Sequence, residues 1–148
     1  MTKRRPSTHG REVLDQLDQR DEKMTLVVDG HALEVTSLDK VLWPGQGRRK
    51  GATKRDLLRY LTRAWPFMRE HLADRPIFVT RFPGGVTGKS FFQKHWDPVP
   101  PFARTVRIYS VQNDRDSAYL VCENLATLLW LGQMAGLELH GWFSETNP

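Results

Sequence analysis

A chain of 148 residues has room for one domain of ordinary size, and 39% hydrophobic content suffices for a buried core without disulfides or a structural metal. Cys122 is the only cysteine, which excludes an intrachain disulfide and a Cys-rich zinc site. No apolar run approaches the roughly 20 residues of a membrane span, and Met1-Thr2-Lys3-Arg4-Arg5-Pro6 leads into no apolar signal core, so the chain reads as soluble and cytoplasmic, with no membrane partner. The net charge of +5 is unevenly spread. Residues 40–59 hold seven cations (Lys40, Arg48, Arg49, Lys50, Lys54, Arg55, Arg59) against Asp56, a local +6, whereas residues 24–39 hold none against three acids. Such a cluster points to an anionic partner, nucleic acid first, or to a solvated loop that only aids solubility.

In chain order, residues 1–23 are polar, mixed in charge and poor in aromatics, and read as a flexible tail, although Val13, Leu14 and Leu17 could form one amphipathic turn. Order is expected from Met24. Asp29-Gly30 between two β-rich runs, residues 25–28 and 32–36, signals a hairpin, because Gly accepts the positive φ of a tight turn. A short apolar stretch, residues 38–43, ends at Pro44, and a basic loop with three glycines follows. Thr53-Lys54-Arg55-Asp56 has the form of a capping box, and Leu57, Leu61, Ala64, Trp65 and Met68 follow helical spacing. Pro66 removes a backbone donor and is expected to split this helix in two. Strands are expected at residues 77–82, 90–96, 105–110, 118–122 and 137–143, with a helix over 125–135 capped by Asn124 and closed by Gly136. The fold class is therefore α+β, a mixed or antiparallel sheet with two main helices, in one domain over residues 24–148.

Two motifs suggest chemistry that their context refuses. Gly84-Gly85-Val86-Thr87-Gly88-Lys89-Ser90 resembles a phosphate loop, but Pro83 stands where its first Gly belongs and a strand, not a helix, should follow. Asp114-Arg115-Asp116 pairs two carboxylates in a segment with turn composition, which gives a metal no rigid support. The five histidines show no metal-ligand pairing, and no Ser or Cys lies in a nucleophile motif. Two features remain. Lys40 and Lys54 end the basic loop, with Lys54 in the first turn of a capped helix, where free N–H groups and a cation together suit a terminal phosphate. Phe91-Phe92, beside Lys94, His95 and Trp96, point to opposite faces of a strand, so one can join the core while the other stacks on a base.

Taken together, the motifs resemble a known family. They are Thr36-Ser37-Leu38-Asp39-Lys40-Val41-Leu42-Trp43-Pro44, then Thr53-Lys54-Arg55-Asp56-Leu57-Leu58-Arg59-Tyr60, then Arg75-Pro76 with Arg81-Phe82-Pro83-Gly84-Gly85-Val86. Phe91-Phe92-Gln93-Lys94-His95 follows, and the helix 125–133 leads into Leu137-Glu138-Leu139-His140. Over residues 33–147 the chain resembles the polymerase domain of the bacterial and archaeal non-homologous end-joining DNA ligase D, of the archaeo-eukaryotic primase superfamily.

The resemblance implies roles position by position. Lys40 and Lys54 match lysines that grip the 5′-phosphate at a DNA break or gap. Phe91 and Phe92 match the aromatic pair supporting the template, His140 a histidine near the incoming nucleotide and its metal ions, and Arg81 and Lys94 auxiliary basic positions facing the cleft. The implied chemistry is Mn²⁺- or Mg²⁺-dependent addition of NTPs to a 3′ end, largely positioning and charge neutralisation. The implied partners are 5′-phosphorylated DNA ends or gaps, NTPs, Ku, and ligase and phosphoesterase modules. In the family the catalytic Asp-x-Asp lies downstream of the His140 segment, beyond Asn147-Pro148. The chain is thus expected to be the DNA-end-gripping N-terminal portion of such a domain, holding no metal itself and inactive alone. The alternative is a non-catalytic DNA-binding or assembly module that recruits or completes a split repair enzyme.

Overall fold

The structure, a computed structural model, describes residues 8–111 and 115–142. Its elements in order are helix α1 (Thr8–Leu17), strands β1 (Met24–Val28), β2 (His31–Val35), β3 (Val41–Trp43) and β4 (Ala52–Thr53), and helix α2 (Lys54–Leu72). Strands β5 (Pro76–Arg81), β6 (Phe91–Gln93), β7 (Arg104–Ser110) and β8 (Arg115–Val121), helix α3 (Leu125–Gln133) and strand β9 (Gly136–Gly141) complete it.

Strands β1 and β2 form the expected hairpin, with Asp29 and Gly30 at φ 49° and 79° in its turn. The pair β3–β4 is also antiparallel and encloses the basic loop, whose Arg48, Arg49 and Lys50 are exposed. The remaining five strands make one antiparallel sheet around β5. Ile77 pairs with both Leu120 of β8 and Gly141 of β9, and Val79 with both Gln93 of β6 and Leu139 of β9. Hence β9 runs along one edge of β5, while β6 and β8 follow each other along the opposite edge, and β7 closes on β8. The period of two puts Ile77 and Val79 on the face covered by helices, both fully buried, and Phe78, Thr80 and His140 on the other.

The capping box is present: the Thr53 side chain accepts from the Asp56 N–H, and the Asp56 carboxylate accepts from the Thr53 N–H. Asn124 caps α3 in the same manner, accepting from the Thr127 N–H at 2.8 Å. Helix α3 crosses α2 closely at Gly132, where a Cβ would stand 2.8 Å from Leu58 Cδ2 and 2.9 Å from Leu61 Cδ1. The core gathers Leu57, Leu58 and Leu61 from α2, Leu128, Leu129 and Leu131 from α3, and Ile77 and Val79 from the sheet. Among the described residues no helix is long and apolar enough to cross a membrane.

Several expectations need correction. Residues 8–17, read as part of a flexible tail, form α1, with Val13 and Leu17 fully buried in the core. The two main helices expected, α2 and α3, are both present, and among the described residues α1 is a third. Pro66 does not divide α2, which runs unbroken through it. The lost hydrogen bond and ring clash cost about 3 kcal/mol, and packing on both flanks, Leu57, Leu58 and Leu61 before it and Leu72 after it, holds the two halves together. Neither Phe91 nor Phe92 joins the core: they are 45% and 66% exposed. Arg115 and Asp116 open β8 instead of lying in a turn, and Asp114 is outside the described residues.

Candidate nucleic-acid interface

The loop after β2 and the start of α2 are bound backbone to backbone: Lys54 N–H donates to Lys40 O and Arg55 N–H to Leu38 O, both at 2.9 Å. The two lysines thereby share one corner. The Lys40 ammonium donates to the Pro83 carbonyl, so the Phe82-Pro83-Gly84-Gly85 turn closes over the corner. Gly85 is required there: its φ is 93°, and a Cβ would stand 2.8 Å from Leu42 O. Val86 N–H, donating to Leu42 O at 2.8 Å, holds the turn against β3.

Lys54 is 7% exposed, yet its ammonium meets only neutral oxygens, Thr36 O at 3.0 Å and Gln133 Oε1 at 3.5 Å. Burial, and secondarily the charge of Lys40, hold its pKa below the ordinary lysine value. No ion pair among the described residues involves Lys40 or Lys54. Lys54 is thus a buried cation with a like-charged neighbour and no carboxylate against it, an arrangement that could accept an anion.

Two other cations of the basic segment serve a different end. Arg55 donates to Leu17 O at 2.7 Å, Gln19 O at 2.5 Å and Asp21 O at 2.6 Å, and lies 3.6 Å from Asp39. Arg59 reaches Leu17 O at 3.3 Å and Asp18 at 2.5 Å. Both guanidiniums satisfy the carbonyl end of α1 and are compensated there.

The sheet carries the second group of expected residues. On its solvent side His140 stacks on Phe78, with ring centroids 4.5 Å apart and an interplanar angle of 12°, and Phe92 meets both rings edge-on at 6.2 Å. His140 Nε2 lies 3.0 Å from Thr80 Oγ1 and 3.5 Å from Glu138 Oε2. On the opposite face the Arg81 guanidinium sits 5.1 Å over the Phe91 ring and 5.6 Å from that of Trp96, while its Nε donates to Met134 O at 2.7 Å. Burial lowers the pKa of Arg81. Phe91 and Phe92 therefore flank β6 on opposite faces, and Lys94 just beyond it is exposed. Lys40 and Lys54 come together; Phe92 joins His140, and Phe91 joins Arg81.

Among the described residues no three His, Cys, Asp or Glu side chains group as a metal site. Beside His140 the ion-pairing carboxylate is Glu138 alone, a donor set short of what a hard divalent cation takes. Cys122, fully buried, has its thiol pushed up to about 12 by burial and by Glu123, which removes it as a nucleophile. The residues missed from sequence are Thr36 and Gln133: nothing marks a glutamine at a helix end as the partner of a lysine 79 positions away.

The arrangement defines a class: an α+β domain with two lysines brought together at a helix start and an aromatic-histidine surface on an antiparallel sheet. Comparison with known proteins gives the family. The LigD primase-polymerase domain matches residues 53–148, a span that includes Lys54, Phe91, Phe92 and His140. The chain is 33% identical over 109 residues to the bifunctional non-homologous end joining protein LigD of Bacillus subtilis, covering 73% of this chain and 16% of that protein. It is 31% identical over 107 residues to the multifunctional non-homologous end joining protein LigD of Mycobacterium bovis, covering 72% of this chain and 13% of that protein. The solved polymerase domain of Mycobacterium tuberculosis ligase D in complex with DNA superposes with a TM-score of 0.66 at 29% identity, over 74% of this chain and 36% of that one. The chain belongs to the LigD primase-polymerase domain family. It spans about one seventh of the length of those curated relatives and about a third of the solved domain.

Proposed function

We propose that the chain grips the 5′-phosphate of a broken or gapped DNA with Lys40 and Lys54, as the end-binding portion of a ligase D-type repair polymerase in non-homologous end joining. The observation that carries this reading is the Lys54 ammonium, 7% exposed and held by neutral oxygens beside a second lysine. A terminal phosphate dianion supplies the missing counter-charge, and the positive end of the α2 dipole favours the same ligand. The N–H groups of Lys54, Arg55 and Asp56, expected to be free, are instead taken by Lys40 O, Leu38 O and the Thr53 side chain. The solved relative at 29% identity carries DNA, which supports nucleic acid as the source of the phosphate.

On this reading Phe92, 66% exposed, offers a stacking surface to a template base, with Phe91 on the far side of the strand. His140, on the same face as Phe92, would lie on the approach to the nucleotide, with Lys94 exposed just beyond β6. Arg81, expected to face the same cleft, lies instead on the opposite face with Phe91 and Trp96. Nucleotide addition in the family draws on Mn²⁺ or Mg²⁺, which would neutralise the triphosphate and orient the attacking 3′ oxygen. On the same reading, the contribution of the residues named here is to hold and orient the DNA end. NTPs, Ku and the ligase and phosphoesterase modules belong to the complete protein on the same reading.

The test is binding to a recessed or gapped duplex with and without its 5′-phosphate. The phosphorylated DNA should bind about tenfold more tightly, the effect of one charge-assisted contact. Lys40→Ala and Lys54→Ala should each erase the preference, and equal wild-type affinity for the two DNAs would refute the reading.

A further inference from the structure

Gln133, the last residue of α3, makes three contacts through one amide. Its Oε1 accepts from the Thr36 N–H at 3.0 Å and lies 3.5 Å from Lys54 Nζ. Its Nε2 donates to Thr36 Oγ1 at 2.8 Å. Thr36 O in turn accepts from Lys54 Nζ at 3.0 Å, so three residues from α3, the loop after β2 and the start of α2 close a ring. The next residue, Met134, offers its carbonyl to Arg81 at 2.7 Å, which fixes the end of α3 from the sheet side as well.

The chemistry of the ring is selective. It needs one side chain that accepts from an amide N–H and an ammonium while donating to a hydroxyl, and a carboxamide does both. A carboxylate of the same shape would accept from the same donors but lose the donor to Thr36. It would also place a permanent negative charge on Lys54, which is 7% exposed. An internal ion pair there would satisfy the ammonium and compete with any incoming anion. A hydrocarbon would leave Thr36 N–H unsatisfied and the lysine with a single acceptor.

We propose that Gln133 is the positioning residue of the phosphate site, holding Lys54 by a neutral contact that fixes its ammonium without neutralising it. This rests on the reading of Lys40 and Lys54 as a 5′-phosphate grip and adds what keeps that grip receptive. The site is thus selected by charge and by the deliberate lack of a carboxylate in its frame.

The experiment compares wild type, Gln133→Glu and Gln133→Leu, each titrated with the same gapped duplex bearing a 5′-phosphate or a 5′-hydroxyl. The readout is the ratio of the two affinities, which a change in the folded fraction does not move because both DNAs meet the same protein sample. The ratio should be about tenfold in wild type and fall to near one in Gln133→Glu, whose carboxylate replaces the phosphate. Gln133→Leu should lower it about threefold by loosening the lysine. A wild-type ratio retained in Gln133→Glu overturns the proposal. A wild-type ratio of one instead refutes the phosphate grip itself, and the two failures are distinguishable.

Discussion

The first turns of α2 send cations in two directions with opposite outcomes. Arg55 and Arg59 turn toward α1 and find three carbonyls and the carboxylates of Asp18 and Asp39. Lys54, one residue before Arg55, turns toward the end of α3 and finds only neutral oxygens. Both groups come from the same run of basic sequence. Charge density therefore does not separate a compensated cation from one left open to a ligand; the tertiary contacts do. The guanidiniums suit the structural task because a planar fork can satisfy several carbonyls at once, while an ammonium is a compact charge that leaves donors for a ligand.

The largest expected effect tests the structural side. Arg55→Ala removes three hydrogen bonds to carbonyls and the contact with Asp39, and should lower unfolding free energy by about 2–3 kcal/mol in urea titration. It should loosen α1 and leave the preference for 5′-phosphate intact. Loss of that preference would break the comparison, because Arg55 would then belong to the ligand site.

The sheet surface offers an intermediate effect. Phe92→Ala should weaken binding to a DNA with a single-stranded template by about 2 kcal/mol, the scale of one base–aromatic stack. Phosphorylated and unphosphorylated DNA should lose the same amount. A loss confined to one of them would place Phe92 in the phosphate corner rather than on the template side.

A smaller effect has the opposite sign to most truncations. Lys54→Met replaces a buried, uncompensated ammonium with a side chain of similar length, and stability should stay level or rise by about 1 kcal/mol. Burial holds the pKa of Lys54 below its ordinary 10.5. The folded state therefore binds that proton less tightly than the unfolded chain, and between the folded and unfolded values stability rises with pH. The stability difference between wild type and Lys54→Met, measured by thermal melts, should be flat at lower pH and climb as pH approaches 10.5 from below. Bound phosphate, which favours the ammonium, should move the climb upward.

The smallest effect concerns the exposed cations of the loop between β3 and β4. Lys50→Ala should weaken DNA binding uniformly and reduce the salt slope by about one unit, without changing the phosphate ratio.

What could be read from sequence was what local chemistry determines. Asp29-Gly30 demands a turn whatever surrounds it, and Thr53 to Asp56 and Asn124 to Thr127 carry helix starts within four residues. The sheet strands were legible for the same reason, and Lys40, Lys54, Phe91, Phe92 and His140 could be singled out by residue type and family resemblance. Helix α1 was not legible, because Val13 and Leu17 make a thin stripe on a polar segment and its stability comes from docking on α2 through Arg55 and Arg59. The passage of α2 through Pro66 was hidden likewise, since the packing that offsets the lost donor lies in distant residues. Gln133 and Thr36, 97 positions apart, meet only through the fold. The compensation that distinguishes Lys54 from Arg55 is a tertiary property, beyond the reach of a charge count.

The central claim is that Lys54 and the 5′-phosphate are each other's missing partner. A thermodynamic cycle tests it most directly, with Lys54→Ala as one change and removal of the 5′-phosphate from a gapped duplex as the other, all four affinities taken at one salt concentration. The account predicts a coupling energy of about 1.4 kcal/mol, the erased tenfold preference expressed as free energy. A coupling of zero, with the two losses simply adding, would contradict it.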